Sequence, residues 1–83
     1  MMPLAIEGGI TLPLVVTTAP PPRWPAGAQP LGPTDAPPYL LRVGPAGAVE
    51  LARACKLGGY VFREAANVYE AGLILEAIGS RGT

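Results

Sequence analysis

The chain has 83 residues, of which 11 are Gly and 11 are Pro, so about a quarter of it consists of the two residue types that interrupt regular structure. Yet 49% of it is hydrophobic and the mean hydropathy is +0.34, which argues against plain disorder, since disordered chains are poor in apolar residues and strongly charged. Six basic side chains balance six acidic ones, so no long-range field gathers nucleic acid or anionic lipid, and neither nucleic acid nor membrane is expected as a partner.

A single Cys cannot form an internal disulfide, and with no His a structural zinc has no ligand set, so no metal or cofactor is expected. A chain this short hides only about 60% of the surface its unfolded form exposes, and without staples its own core is expected to fall short. Five Arg against one Lys, with many Ala, Gly and Pro, suit a GC-rich bacterial or phage genome. No basic residue precedes Arg23, and Glu7, Gly8, Gly9 and Pro13 interrupt the apolar stretch from Leu4 to Val16. Neither a signal peptide nor a membrane span fits that pattern. The expected location is the cytoplasm or a virion, with the chain starting at Met1 because Met2 is too bulky for initiator removal.

Residues 1–18 are expected to be β. Ile10, Leu12, Leu14 and Val16 alternate with Thr11, Pro13, Val15 and Thr17, the period-2 pattern of a strand with one apolar face. Pro13 cannot donate to a ladder, which makes this an edge or interrupted strand, one that pairs with Tyr39 to Val43 or with a sheet edge on a partner. Leu4-Ala5-Ile6 can fold back on it through Glu7-Gly8-Gly9 as a short hairpin.

Residues 19–38 form a Pro/Gly-rich arm holding eight of the eleven prolines. In polyproline II geometry the nineteen residues from Pro20 to Pro38 would reach roughly 60 Å, at about 3.1 Å each, and proline lowers the entropic cost of draping such a segment over a surface. Apart from Leu31 the arm has almost no branched aliphatic residues, so it is expected to be ordered only in an assembly.

Residues 39–83 read as a short strand and a two-helix hairpin. Tyr39, Leu41 and Val43 share one strand face. Gly44 can cap a helix whose first residue is Pro45, Ala48, Leu51, Ala52 and Cys55 form its apolar stripe, and Gly58-Gly59 ends it. A second helix is expected from about Tyr60 to Ile78, with Val61, Phe62, Ala65, Val68, Tyr69, Gly72, Leu73 and Leu75 on a wide apolar face and Arg63, Asn67 and Glu70 on the polar one. The fold class is therefore small α+β.

No catalytic constellation emerges. There is no His, the acids Glu7, Asp35, Glu50, Glu64, Glu70 and Glu76 are scattered, and Ser80 and Cys55 have no imidazole base. Cys55 falls on the apolar stripe and reads as core. Gly44-Pro45-Ala46-Gly47 lacks the Lys and Ser/Thr of a phosphate loop. The protein is expected not to be an enzyme.

The residues expected to meet a partner are Trp24, with Arg23, Pro22 and Pro25, because a large ring in a stiff extended segment has no local core to enter and Trp and Arg dominate interface hot spots. The alternative is that Trp24 folds back over the protein's own helices. Pro22 to Pro25 has the PxxP spacing read by aromatic grooves, a motif that proline-rich runs match by chance. Ile10, Leu12, Leu14 and Val16 are the expected edge contacts, and Phe62 and Tyr69 the helical ones. Together these point to a non-enzymatic structural or accessory protein docking onto a larger protein assembly or a second copy of itself. A minor virion component such as capsid cement, a connector or a tail protein has this economy. The alternatives are a small phage-type inhibitor of a host complex, anti-CRISPR-like, and a stand-alone domain with its own small ligand.

Overall fold

A computed structural model describes residues 13–81. It is α+β: β1 (Leu14–Thr17), a 3-10 turn (Pro21–Arg23), β2 (Gln29–Pro30), β3 (Tyr39–Arg42), α1 (Pro45–Gly58), β4 (Phe62–Ala65) and α2 (Val68–Arg81). The strands form one antiparallel sheet in the order β2-β3-β1-β4. The hairpin expected around Glu7 to Gly9, with Ile10 and Leu12, lies outside the described residues.

β1 lies in the middle of the sheet and not at its edge. All four of its residues are buried, and it pairs with β3 on one side and β4 on the other. Pro13 does not prevent this because it precedes the strand, where its carbonyl accepts a hydrogen bond from the Val43 amide at 3.2 Å and no donor is needed. Alternation along β1 then feeds two cores. Val15 packs with Tyr39, Leu41 and Val43 against Ala48, Leu51 and Cys55 of α1, whereas Leu14 and Val16 pack with Ala65 and Ala71 on the opposite face, joined there by Leu40, Ile74, Leu75 and Ile78. The sheet is thus sandwiched between the two helices.

Two C-terminal helices follow one another as expected, and α1 keeps its expected limits. Gly44 is its N-cap, Pro45 its first residue, and Gly59 its C-cap at φ 78°, with the Tyr60 amide donating to the Cys55 carbonyl at 2.9 Å. The connection differs. Residues 62–65, expected to be helical, form β4, and α2 begins at Val68. The cause is local: Asn67 Oδ1 accepts from the Glu70 amide at 2.8 Å while the Glu70 carboxylate accepts from the Ala66 amide, a reciprocal pair that starts a helix at this point. With that start the buried side of α2 is Ala71, Ile74, Leu75 and Ile78, and Val68, Tyr69 and Leu73, expected on the apolar face, are exposed.

β3–α1 and β4–α2 are units of equal length. Every boundary of the second falls 23 residues after the first (39 and 62, 42 and 65, 45 and 68, 58 and 81), and both strands meet β1 in one register, with Leu14 opposite Arg42 on one side and Ala65 on the other.

The arm is not one extended run. Pro20 to Trp24 winds into a 3-10 turn, with the Arg23 amide on the Pro20 carbonyl (2.8 Å) and the Trp24 amide on the Pro21 carbonyl (3.0 Å); Pro21 and Pro22 fall where the missing N–H groups would have had no partner. Gly27, at φ 85°, then turns the chain back, with the Ala28 amide on the Pro25 carbonyl. β2 pairs with β3, Gln29 opposite Arg42 and Pro30 opposite Leu41, so this half of the arm closes one edge of the sheet.

Candidate docking surface

The expected partner residues divide by geometry. Trp24 lies against the protein's own core: its ring meets Tyr39 edge-on at 5.3 Å and 74°, and its Nε1–H donates to the Ala19 carbonyl at 2.9 Å. Both the apolar body and the polar handle of the indole are satisfied within the chain, so Trp24 is an internal cap, the alternative reading of this residue. Pro25 is buried beside Gly47, where an added Cβ would sit 3.2 Å from Pro25 Cγ. Pro22 and Arg23 remain exposed. Leu14 and Val16 are buried under α2 and cannot serve as contact residues on the surface, because β1 is central. Phe62 is half-buried against the α1 core, and Tyr69 is 76% exposed. Of the expected set only Pro22, Arg23 and Tyr69 are therefore surface groups among the described residues.

Thr17 is the polar hub that alternation alone did not single out. It is fully buried; its hydroxyl donates to the Val61 carbonyl (2.6 Å) and accepts from the Ala19 amide (3.1 Å), leaving the Cys55 thiol, 3.2 Å away, as a donor to it. Next to it Thr18 Oγ1 accepts from the Val61 amide at 2.9 Å. This network ties β1, the arm and the connection into β4 together, and it assigns Cys55 a structural place at 1% exposure. Among the described residues every buried side-chain nitrogen and oxygen has a partner, and no three His, Cys, Asp or Glu side chains come together. Among them, too, no helix is long and apolar enough to cross a membrane.

An open cleft of about 400 Å³ lies beside the start of α2, lined by Pro13, Leu14, Arg42 and residues 65–68. Arg42 is its one charged wall, and it offers neither a nucleophile nor a carboxylate pair.

The more distinctive surface is the outward side of α2. Tyr69 and Leu73, four residues apart and 76% and 50% exposed, stand one above the other on it, with Glu76 and Ala77 continuing the same side and Val68 exposed at the helix start. The inner side of α2 is already packed on the sheet, so this outer apolar pair has nothing within the described residues to cover it. β4 beside it has β1 on one side and no further strand on the other among the described residues. The signal in the sequence was Asn67-x-x-Glu70, a capping pair that fixes the start of α2 and hence which side faces inward.

No known protein family matches the chain, and no curated protein or solved structure is similar to it.

Proposed function

We propose that this is a non-enzymatic structural or accessory protein that docks onto a larger protein assembly, with the outward side of α2 and the neighbouring β4 edge as its contact surface. The observation that carries this reading is the exposed apolar row of Tyr69 and Leu73 on a helix whose other side is already packed on the sheet. Docking would remove that row from water, and aromatic and aliphatic side chains of this kind are what the buried centre of an interface uses. The arm's part is to complete the fold that presents the surface, in place of the anchoring role expected of it. The setting we propose is a virion, in which a minor component of this size is covered by its neighbours.

The test is made in the organism that encodes the protein. A tagged chain should migrate with other polypeptides in a fraction much heavier than its own 8.5 kDa, and Tyr69→Asp combined with Leu73→Asp should return it to the light fraction with circular dichroism unchanged. A wild-type chain found only in the light fraction would overturn the reading.

A further inference from the structure

The two helices lie on opposite faces of the sheet, so each turns its outer side to solvent, and those outer sides differ in charge. On α1 the exposed residues are Val49, Glu50, Arg53, Lys56 and Leu57, with Val49 59% and Leu57 84% exposed; the cations outnumber the single acid. Over residues 68–79 of α2 they include Tyr69, Glu70, Leu73, Glu76 and Ala77, and that stretch carries two carboxylates and no cation. Arg63 and Arg42 belong to the sheet side beneath α2 and not to its outward face. One molecule therefore presents an apolar row flanked by cations on one face and an apolar row flanked by carboxylates on the other.

We propose that the occupant of the α2 surface is a second copy of this chain, docking through the outward side of its α1, so that copies stack head to tail. The proposal rests on the reading of α2 as a docking face and names what covers it. β3 and β4 are both antiparallel to β1 and hence parallel to each other, and each helix folds back from the end of its strand, so α1 and α2 run in the same sense. Copies stacked without inversion then lay α1 parallel to the next molecule's α2. Arg53 and Glu76 are each the ninth residue of their helix, which sets them level, and Val49, the fifth, falls beside Leu73, the sixth. Opposite charges and apolar side chains meet in that arrangement.

Self-pairing through β4 is disfavoured by the same kind of reasoning. A twofold antiparallel pair keeps each residue opposite one on its own face, so the two registers that pair most of β4 put Arg63 against Arg63 or Glu64 against Glu64. A head-to-tail contact is heterologous and propagates into a ring or a filament unless a different partner ends it.

Sedimentation equilibrium on the purified full chain tests this, with two charge-reversed variants at exposed positions: Arg53→Glu with Lys56→Glu, and Glu76→Lys with Ala77→Lys. The wild type should show a mass rising with concentration above 8.5 kDa, and association should weaken at least about tenfold between low and 0.5 M salt. Each variant alone should be monomeric with wild-type circular dichroism, and an equimolar mixture of the two should associate again, because each supplies the charge the other lacks. Should either reversal disturb the fold, the salt series on the wild type decides. A wild type that is monomeric throughout, association indifferent to salt, or variants that each still self-associate alone would overturn the proposal. A purified chain that stays monomeric yet migrates in a heavy fraction in its own organism would sink self-stacking and leave the docking reading standing.

Discussion

The β3–α1 and β4–α2 units have equal lengths and meet β1 in one register, yet Ala48, Leu51 and Cys55 are all buried in α1, whereas Ala71 is the only fully buried residue described in α2. The strands explain the difference. Because both pair with β1 in the same register, residues opposite the same β1 position face the same side of the sheet, while the two helices take opposite sides. β3 accordingly gives α1 the apolar set Tyr39 and Leu41, and β4 gives α2 Arg63 and Ala65. The arm widens the gap by adding Ala19, Trp24 and Ala28 to the α1 side and β2 to that edge of the sheet. One plan thus yields a closed half and an open half, and the open half is where an outside surface has something to cover.

The largest effects should separate the halves. Leu51→Ala removes a fully buried side chain and should cost about 3–4 kcal/mol, whereas Ile74→Ala, half-buried at the equivalent place in α2, should cost about 2 kcal/mol or less; urea unfolding midpoints measure both. Equal losses would break the comparison.

Trp24→Ala should follow, at about 2–3 kcal/mol, by uncovering Tyr39 and leaving the Ala19 carbonyl without its donor. The arm should then become the first site of proteolytic cleavage, read by limited proteolysis and mass spectrometry. An unchanged midpoint would show that the arm is ornamental to the closed half.

Thr17→Val keeps the shape of the side chain and removes the hydroxyl that joins β1 to the arm and to the segment before β4. A loss of about 1–2 kcal/mol is expected, from the Ala19 amide left unpaired and the Val61 carbonyl left with the Thr18 amide as its one donor. Thermal unfolding followed by far-ultraviolet circular dichroism suffices to see it.

The smallest pair has opposite expectations. Gly72 lies within α2 with nothing within 4 Å of where an alanine methyl would stand, so Gly72→Ala should stabilise by about 0.5–1 kcal/mol through helix propensity alone. Gly47 in α1 lets Pro25 approach, and Gly47→Ala should forfeit that gain because its Cβ would press on the arm at 3.2 Å. Matching gains in the two variants would mean the arm does not lie against α1 as described.

Legibility in the sequence followed the same division. The closed half was readable because each signal there is local and unambiguous: Tyr39, Leu41 and Val43 alternate, Gly44-Pro45 opens a helix, Ala48, Leu51 and Cys55 recur along one side, and Gly59 closes it. In the open half two periods overlap. Phe62, Ala65, Val68 and Tyr69 satisfy helical spacing as well as β4 does, and only the Asn67–Glu70 pair distinguishes them. The arm misled for a different reason: consecutive prolines favour an extended chain, but Pro20 to Trp24 and Gly27 reverse it twice, and the contact that rewards this, Trp24 on Tyr39, spans the arm and is invisible to local pattern. Docking through Leu14 and Val16 failed because strand order, which places β1 between β3 and β4, is a property of the whole sheet.

Native-state hydrogen exchange by NMR on the purified chain tests the contrast between the halves most directly. At low concentration the amides of α1 and β3 should exchange only through global unfolding, and those of α2 through a smaller opening at least about 1–2 kcal/mol below it, with α2 protection rising when its outer side is covered. Protection in α2 equal to that in α1 in the dilute monomer would contradict the account.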